Sequence, residues 1–521
     1  MPDWGELLVD QLRFMAQRYG GEVAYRDMGS GGALTFHEWD ARSDALARGL
    51  VARGVRRGDR VSIYLPNDEC LRWIVAYAAV HKAGAVAVPT NTRLSVRELI
   101  AILGHAEVRA LLTCSALLPA AREVRGALSS LDLVVSTGAG ADEIAWDDAF
   151  DADDSTFQVP VDLDDLADIM YTSGTTGLPK GVAVRHRNVA MIPNLEPPWS
   201  GAGWVHGAPL FTFAGISFIF NPMKMGMVGL YQPKFDAGEW LRIVEQERPT
   251  MAFLVPAMAE LLVAHPDFPT ADLSSLQAVS IGSAPLAPNT LLTLVERLPQ
   301  ASVSNSYGMT EAGPAFIVMP QEEVTKRIGS VGKPMPPMEI KIVDDDDNER
   351  APHEVGELLT RLPGRQREYY KDADATASTW TRDGWLRSGD LGYLDDDGFL
   401  YLVGRKKDLI VRGGHNVYPT DIESVILEHP AVREAAVVAI PHDVLGEDIA
   451  AFVVRKPDAD VEGDELQAFC AEHLADYKRP RQVTFVDELP RNATGKVMKH
   501  LLGNDVAGTT GRTNPAYPGS R

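Results

Sequence analysis

Short apolar runs alternate with helical stretches from about residue 34 to residue 280, and this alternation constrains the fold more than any other feature of the sequence. The run RVSIYLP (60–66) is typical of a buried strand, ECLRWIVAYAAVHKAG (69–84) has the periodicity of a helix, and AVAVPT (85–90) predicts the next strand. Similar runs recur as far as TMAFLVP (250–256). Because short apolar strands separated by helices form parallel sheets with both faces covered, we expect an α/β fold.

The pattern changes after about residue 327, where short alternating segments and clusters of turn residues predict an antiparallel region. Within this region, residues 390–411 have the pattern of a hairpin with its turn at 395–398. We interpret the four aspartates at 344–347 as a solvated turn, because nothing forces their side chains to converge on a metal ion. From Pro419 the order becomes helix, strand, strand, helix, strand, which indicates a small α+β unit.

These changes of pattern predict three parts of the chain. They are a large N-terminal domain (1–404), a small C-terminal domain (405–503) and a tail (504–521). The tail has no apolar periodicity, and we therefore expect it to be mobile.

The overall composition excludes several classes of protein. There are 50 basic and 72 acidic residues and a formal net charge of −22, which argues against non-specific binding to nucleic acid or to an anionic membrane. A local basic pocket for an anionic ligand stays open. No apolar run reaches the length of a membrane span, and the first 20 residues predict an amphipathic helix rather than a signal peptide. The three cysteines, Cys70, Cys114 and Cys470, fit no disulfide framework or zinc spacing and predict packed thiols in a reducing cytoplasm.

The stretch YTSGTTGLPKGV (171–182) concentrates groups that can bind an anion directly after a predicted strand. It supplies glycines, hydroxyl donors and one positive charge at Gly174, Gly177, Gly181, Ser173, Thr175, Thr176 and Lys180. Backbone amides and hydroxyls grouped in this way form a nest for phosphate. The Walker motif is excluded because Pro179 precedes Lys180 and Gly181 follows it. A polar glycine-rich turn is the alternative, but the preceding strand and the lysine favour a phosphate-binding loop.

Four further motifs follow in the chain. They are SNSYGMTEAGP (304–314), DGWLRSGDLGY (383–393), VGRKKDLIVRGGHNVYP (403–419) and LPRNATGKVMK (489–499). With the 171–182 loop, and in this order, they resemble the adenylate-forming superfamily, which contains acyl- and aryl-CoA synthetases, peptide-synthetase adenylation domains and beetle luciferases. The resemblance extends over roughly residues 10–503.

The resemblance implies both a fold and a reaction. The expected fold is an α/β N-terminal domain of two α/β subdomains plus a distorted β-barrel, followed by a small mobile α+β C-terminal domain. In the expected reaction, a carboxylate attacks the α-phosphate of ATP to give an acyl-adenylate and pyrophosphate. A thiol, usually that of coenzyme A, then displaces AMP. The implied cofactors are ATP, Mg²⁺ and coenzyme A.

The resemblance assigns a nucleotide site to named residues. The β- and γ-phosphates would be held by Thr172, Ser173, Gly174, Thr175, Thr176, Gly177 and Lys180. The adenine would lie between one wall made by Gly282, Ser283, Ala284 and Pro285 and another segment made by Tyr307, Gly308 and Met309.

The remaining assignments concern charge. Thr310 would donate to the α-phosphate, and Glu311 would hold Mg²⁺, which prefers oxygen ligands. Asp390 would accept both ribose hydroxyls, with Arg405 assisting at the hydroxyls or the phosphate. Lys496 would bridge the carboxylate and the α-phosphate.

Residues of the C-terminal region would serve the second step. Lys407 resembles the hinge residue about which the small domain rotates, which would withdraw Lys496 after adenylation. Gly413 and Gly414 would form the backbone wall of a pantetheine tunnel.

The chain departs from the family pattern in the stretch APLFTFAGI (208–216), because Thr212 stands where many CoA ligases have a histidine or an aromatic residue. We expect a wider or more polar mouth to the acid pocket, with Phe213, Gly215 and Ile216 as walls. Since these walls are mostly apolar, we predict a fatty or arylalkanoic acid. Lys224 is interpreted as a surface lysine, with contact to a second acid group of the substrate as the alternative.

The main hypothesis is therefore an ATP-dependent acid–CoA ligase, a cytoplasmic monomer or homodimer that acts on small molecules and binds no nucleic acid. Several alternatives keep the adenylation step. They are loading of a carrier protein, amide formation, and nitrite-activating diazotase-like chemistry on an arylamine. A fourth alternative is a nucleotide-binding regulatory protein without turnover, which the complete set of Thr310, Glu311, Asp390 and Lys496 disfavours.

Overall fold

The structure is a computed structural model that describes residues 5–172, 179–189, 192–284, 286–313, 317–364, 366–457, 459–491 and 496–506. The chain divides into two compact units. Unit 1 contains Met1–Ile340 and Thr360–Leu386, and unit 2 contains Lys341–Leu359 and Arg387–Arg521. The predicted domain boundary after residue 404 stays a prediction, because compactness does not test where a mobile domain begins. Most of the predicted tail lies outside the described residues.

The helices in the described residues are α1 Leu8–Tyr19, α2 Phe36–Ala52, α3 Cys70–Lys82, α4 Val96–His105, α5 Leu118–Ala127, α6 Phe213–Lys224, α7 Ala237–Glu247, α8 Pro256–Val263, α9 Pro288–Arg297, α10 Ala373–Thr379, α11 Pro419–Glu428, α12 Gly463–His473 and α13 Lys499–Val506. Several begin at the residues that favour a helix start. Thr35 and Ser95 form capping boxes with Glu38 and Glu98.

The strands are β1 Val23–Asp27, β2 Ala33–Thr35, β3 Arg60–Tyr64, β4 Val86–Pro89, β5 Val108–Thr113, β6 Leu133–Ser136, β7 Ile144–Ala145, β8 Leu166–Thr172, β9 Lys180–Arg185, β10 Gly203–His206, β11 Val228–Tyr231, β12 Met251–Leu254, β13 Ala278–Gly282, β14 Ser302–Ser306, β15 Ile317–Val318, β16 Ser330–Pro334, β17 Glu339–Val343, β18 Gly356–Arg361, β19 Glu368–Tyr369, β20 Leu386–Leu394, β21 Leu400–Arg405, β22 Ile410–Arg412, β23 His415–Val417, β24 Val432–His442, β25 Gly446–Arg455 and β26 Gln482–Phe485.

The alternating region of the sequence builds two sheets in unit 1. One has the strand order β14-β13-β12-β10-β11-β1-β2, and its strands are parallel except for the β1–β2 pair. The other has the order β19-β9-β8-β4-β3-β5-β6-β7, with antiparallel pairing at β19–β9 and β9–β8. The expectation of parallel strands separated by helices is therefore confirmed.

Helix α3 lies between these two sheets. It contacts β1 of the first sheet and β3 and β4 of the second. Its residues Trp73 to Lys82 are all buried. A helix that is apolar on every face needs such a position, because no side of it can face water at low cost.

Unit 2 contains the predicted hairpin and the predicted α+β unit. Strands β20 and β21 pair antiparallel on either side of a turn in which the Gly398 amide donates to the Asp395 carbonyl at 2.9 Å. In the C-terminal part, β23, β22, β25 and β24 form a sheet in that order, and β26 pairs parallel to β25. Helices α11 and α12 supply Ile422, Ile426 and Leu466 to the apolar core of this part. The predicted fold class, mixed α/β with a large N-terminal and a smaller C-terminal part, is confirmed.

Two predictions from composition concern the interior and the surface. Cys70, Cys114 and Cys470 are unpaired and buried, as expected of packed thiols. Among the helices that the structure describes, none combines the length and the apolar character that crossing a bilayer requires.

Candidate active site

The predicted phosphate loop connects β8 to β9, which pair as an antiparallel hairpin. The last pair in the register places Thr172 opposite Lys180. The residues predicted to grip phosphate between them lie outside the described residues; they are Ser173, Gly174, Thr175, Thr176 and Gly177. The described ends of the hairpin therefore bring one hydroxyl and one ammonium group to the base of this loop.

Glu311 is held by hydroxyl groups from two distant segments. Its Oε1 accepts hydrogen bonds from Thr172 Oγ1 at 3.2 Å and from Tyr369 Oη at 3.3 Å. The Lys180 ammonium lies 4.9 Å from the centre of the Tyr369 ring, a cation–π distance. Burial and the neighbouring carboxylate raise the pKa of Tyr369, so its hydroxyl stays a donor. Both of these hydrogen bonds go to Oε1.

Thr310 and Glu311 lie in a tight turn that is closed by a bridge between Met309 and Gly313. The Thr310 carbonyl accepts a hydrogen bond from the guanidinium group of Arg367. The turn is therefore held at its backbone by Arg367 and at the side chain of Glu311 by Tyr369.

The two segments predicted to enclose the adenine leave the same edge of a sheet. Gly282 ends β13, and Tyr307 follows β14, which pairs parallel to β13. In open α/β sheets this carboxyl edge is where ligands bind. Tyr307 Oη donates to the sulfur of Met309 at 3.7 Å, and Gly308 lies exposed between them.

The residues at the end of β13 that are predicted to face the adenine have unusual backbone geometry. A Cβ atom at Gly282 would lie 3.0 Å from the Ser306 carbonyl oxygen, so the two strands approach closely here. Ser283 has a φ of 77°, which is uncommon for a residue with a side chain. Ala284 follows it, and Pro285 lies outside the described residues.

Asp390 and Arg405 face each other across the β20–β21 hairpin, where the register pairs them directly. Arg405 Nε lies 3.2 Å from Asp390 Oδ1. Ser388 Oγ accepts a bond from the Asp390 amide at 3.0 Å and donates to the Leu358 carbonyl at 2.7 Å. The backbone that carries this carboxylate is thereby fixed within unit 2.

Lys496 lies near this pair, also in unit 2. Its side chain is partly buried, and its pKa is lowered to about 8, chiefly by the loss of water. The charges of Arg405 and, more weakly, Lys407 contribute to this lowering, and the charges of Asp390 and Asp408 oppose it. The fold therefore brings the predicted catalytic lysine to the predicted ribose carboxylate.

The residues predicted for the second step lie close together in the chain. Lys407 is exposed in a short turn directly after β21. Gly413 and Gly414 join β22 to β23 with φ values of 57° and 84°, a conformation that favours glycine. The Gly413 amide donates to the Leu445 carbonyl at 2.9 Å. The hinge and tunnel roles stay predictions.

Thr212, where the chain departs from the family pattern, caps the start of α6. Its Oγ1 donates to the Pro209 carbonyl at 2.7 Å and accepts from the Gly215 amide at 3.0 Å. The hydroxyl is thus used by the helix terminus, and the pocket role of Thr212 stays a prediction. Gly215 must lack a side chain, because a Cβ there would lie 2.1 Å from the Pro209 carbonyl oxygen.

The other two predicted walls of the acid pocket differ in exposure. Phe213 is half-buried, and the Arg367 guanidinium lies 4.7 Å from the centre of its ring. Ile216 is 2% exposed and packs in the main core of unit 1. The pocket roles of both residues stay predictions.

Comparisons with known proteins decide the family. Residues 12–370 match the AMP-binding enzyme family, and residues 421–496 match the AMP-binding enzyme C-terminal domain. This chain belongs to the AMP-binding enzymes. It is an ATP-dependent, AMP-forming ligase of the adenylate-forming superfamily.

Relatives of this AMP-binding enzyme include CoA ligases for different acids. Feruloyl-CoA synthase of Amycolatopsis sp is 36% identical over 476 residues, which cover 90% of this chain and 93% of that protein. Long-chain-fatty-acid–CoA ligase of Bacillus subtilis (strain 168) is 33% identical, over 91% of this chain and 90% of that protein. Among solved structures, the anthranilate CoA ligase AuaEII in complex with anthranoyl-AMP gives a TM-score of 0.86 at 27% identity, covering 98% of this chain and 99% of that one.

One sequence prediction for this AMP-binding enzyme is wrong. Lys224 is not a surface lysine, since it is 1% exposed. Its ammonium donates to the Ile192 carbonyl at 2.6 Å and to Asn194 Oδ1 at 2.8 Å. Helix α6 is mostly apolar and is buried from Gly215 to Lys224, and this apolar character was the available signal that a polar residue in it would be buried.

Sequence reasoning also missed two residues of the AMP-binding enzyme that hold the 309–313 turn. Tyr369 and Arg367 lie in a segment without a recognised motif. They reach Glu311 and Thr310 across 58 and 57 positions of the chain, so only the folded arrangement reveals them.

Proposed function

We propose that this AMP-binding enzyme joins a carboxylic acid to coenzyme A in two half-reactions. In the first, the carboxylate oxygen attacks the α-phosphorus of ATP, and the bond to pyrophosphate breaks. In the second, the thiol of coenzyme A attacks the acyl carbon, loses its proton and displaces AMP. The product is a thioester.

The observation that carries the proposal is the position of Lys496 near Asp390 and Arg405. A carboxylate with two acceptor oxygens suits the vicinal hydroxyls of ribose. A lysine beside that carboxylate would reach the α-phosphate attached to the same nucleoside. Its positive charge would neutralise charge that grows on the phosphate oxygens as the carboxylate attacks, which is the main source of catalysis in such transfers.

Glu311 fits the requirements of a magnesium ligand. Its Oε1 is oriented by Thr172 and Tyr369, and Mg²⁺ is commonly held by one or two carboxylates together with substrate phosphates. When bound, Mg²⁺ would screen the negative charge of the phosphates. Thr310 would donate to the α-phosphate from the same turn, and Lys180 would attract the pyrophosphate part.

We further propose a largely apolar acid, either a fatty or an arylalkanoic acid. Helix α6 is apolar along the segment that carries the predicted pocket walls, and the Thr212 hydroxyl is occupied by the helix start. The relatives named for feruloyl-CoA, long-chain fatty acids and anthranilate support an apolar or aromatic acyl group. The second step would use the backbone of Gly413 and Gly414 as a wall for the pantetheine chain.

The test is an acid panel with ATP and Mg²⁺, in which pyrophosphate and AMP are measured with and without coenzyme A. We expect acid-dependent release of pyrophosphate, stimulation of AMP release by coenzyme A, and an acyl-CoA detected by mass spectrometry. Acid-dependent AMP release that coenzyme A leaves unchanged would overturn the thiol acceptor. Addition of amines, nitrite with an arylamine, or a carrier protein would then identify which of the other acceptors is used.

A further inference from the structure

Arg367 is a buried arginine that contacts two predicted parts of the site. It is 2% exposed, just before β19 in unit 1. It donates to the carbonyl groups of Thr310 and, at 2.6 Å, of Asn188. Burying a charged side chain costs free energy unless its donors are satisfied. The reason for burying a guanidinium here therefore lies in the groups that it contacts.

The first thing it holds is the turn between Met309 and Gly313. Arg367 binds the backbone of that turn, while Tyr369 binds the carboxylate of Glu311. Residues two apart on an extended segment point to the same side, so one strand edge supports both the backbone and the side chain of the turn. Gly313 has a φ of 77°, and a Cβ there would lie 3.4 Å from the guanidinium carbon.

The second thing it holds is the start of α6. The guanidinium lies 4.7 Å from the centre of the Phe213 ring, within the range of a cation–π contact. The same group therefore touches the predicted acid wall and the turn that carries Thr310 and Glu311.

Asn188 completes a clamp around this arginine. Its carbonyl accepts from Arg367, and its Nδ2 donates back to the Gln366 carbonyl at 3.3 Å. Asn188 is itself 2% exposed. The position of the guanidinium is therefore fixed from the side of β9 as well.

We propose that Arg367 is a positioning residue that couples the acid wall at Phe213 to the turn that carries Thr310 and Glu311. The inference rests on the proposed adenylation, in which that turn acts on the phosphates of ATP. A shift of Phe213 by a badly fitting acid would move the guanidinium and with it the Thr310 carbonyl. Acid binding and phosphate geometry would then be linked through one side chain.

Lysine cannot replace this arginine. A guanidinium is planar, carries five N–H donors in a fixed fork and can stack on a ring while its edge donates to two carbonyl groups. An ammonium group is a compact point charge that does not stack. Arg367→Lys should therefore behave more like Arg367→Met than like the wild type.

The experiment compares Arg367→Lys, Arg367→Met and the control Arg13→Met in acid-dependent pyrophosphate release without coenzyme A. Arg13 is also an arginine of unit 1 with a largely buried side chain, bonded to Asp44 at 2.9 Å and to the Phe157 carbonyl at 3.1 Å. We expect Arg367→Met to lower kcat by about 10²-fold, as displacement of catalytic groups by an ångström does, and to raise KM for the acid. Arg13→Met should lower Tm and leave kcat and KM near wild type.

A double-mutant cycle with Phe213→Leu tests the coupling itself. If Arg367 acts through Phe213, the loss of kcat/KM for the acid in the double variant will be smaller than the product of the single losses. Losses that multiply would overturn the coupling to Phe213, and an Arg367→Met variant that changes only Tm would overturn the positioning role.

Thermal stabilisation by ATP and Mg²⁺ gives a readout that needs no acid. We expect Arg367→Met to lose most of this stabilisation and Arg13→Met to keep it. If no acid in the panel releases pyrophosphate from the wild type, the proposed ligase function fails, and this measurement still decides the role of Arg367. Equal stabilisation of both variants would count against that role.

Discussion

Lys82 and Lys496 are two lysines that the fold removes from water, and they are removed in opposite ways. Lys82 ends α3 in the core of unit 1 with its side chain 0% exposed. Its ammonium lies 2.6 Å from Asp40 Oδ1 and 2.9 Å from Asp44 Oδ1. Burial lowers the pKa of Lys82, and the two carboxylates oppose that effect. The positive charge is thus matched within the protein.

Lys496 shares its surroundings with other cations. Burial, together with the charges of Arg405 and Lys407, lowers its pKa to about 8 against the opposing charges of Asp390 and Asp408. Lys82 is explained by the two carboxylates it contacts, whereas the strongly lowered pKa of Lys496 makes it a candidate for a functional role.

The largest effect we expect comes from breaking the matched cluster. Lys82→Met leaves Asp40 and Asp44 buried without their main cation and should cost about 3–5 kcal/mol in the free energy of unfolding. Urea unfolding of the wild type and the variant measures this. Adding Asp44→Asn should recover part of the loss, because one of the stranded charges is removed. A variant within about 1 kcal/mol of the wild type would show that the cluster stabilises little.

The second largest effect that we expect is on the rate of adenylation rather than on the free energy of unfolding. Lys496→Gln should lower acid-dependent pyrophosphate release on the order of 10²–10³-fold, because it removes a positive charge from the transition state. Thioester formation from supplied acyl-adenylate and coenzyme A should be largely spared, and so should Tm. Lys499→Gln is the matched control, since Lys499 lies three residues away and pairs with Glu423 at 2.6 Å. Equal loss in both half-reactions would contradict a lysine that serves only the first.

The third prediction uses the pKa of Lys496. If the protonated form bridges the phosphate, kcat/KM for ATP in adenylation should fall about tenfold per pH unit above pH 8, the pKa in the free enzyme. Lys496→Arg should move this inflection beyond the measurable range while keeping a positive charge. An unchanged profile in Lys496→Arg would assign the inflection to another group.

The same pKa shift affects stability with a defined sign. Its folded value of about 8 lies below the ordinary value of 10.5, so between these pH values the unfolded chain binds more protons at this site. The contribution of Lys496 to stability therefore rises with pH across that window. Below about pH 8 the lysine is protonated in both states, and its unfavourable contribution is constant.

The smallest change in stability that we expect is at Thr212. Its hydroxyl, like the ammonium group of Lys82, bonds to groups of the protein itself. Thr212→Ala removes the cap of α6 and should cost about 1 kcal/mol, and Thr212→Ser should restore most of it. Thermal unfolding measures both. A tenfold change in KM for the acid without a change in Tm would instead place the hydroxyl against the substrate.

Regular local patterns made much of the fold and part of the site predictable. Strands and helices between β3 and β12 follow the apolar periodicity, and a hairpin with its turn at 395–398 brings Asp390 opposite Arg405 through register alone. Local patterns do not predict contacts between residues that are far apart in the sequence. Tyr369 is 58 positions from Glu311, and Lys224 was misjudged because its neighbours Ile192 and Asn194 belong to another segment. Such contacts depend on which segments the sheets bring together.

The short pairing of β19 with β9 determines the stage of synthesis at which the turn at 309–313 can be fully supported. Tyr369 sits opposite Val182 in that pairing and holds Glu311, while Thr172 reaches the same carboxylate from 139 positions earlier. During synthesis from the N-terminus, Thr172 and Glu311 leave the ribosome well before Tyr369 and Arg367. A nascent chain that ends before residue 367 therefore carries the predicted nucleotide-binding residues of unit 1 without the segment that holds Thr310 and Glu311. We therefore expect ATP binding by unit 1 to appear late in synthesis and abruptly, when β19 pairs with β9.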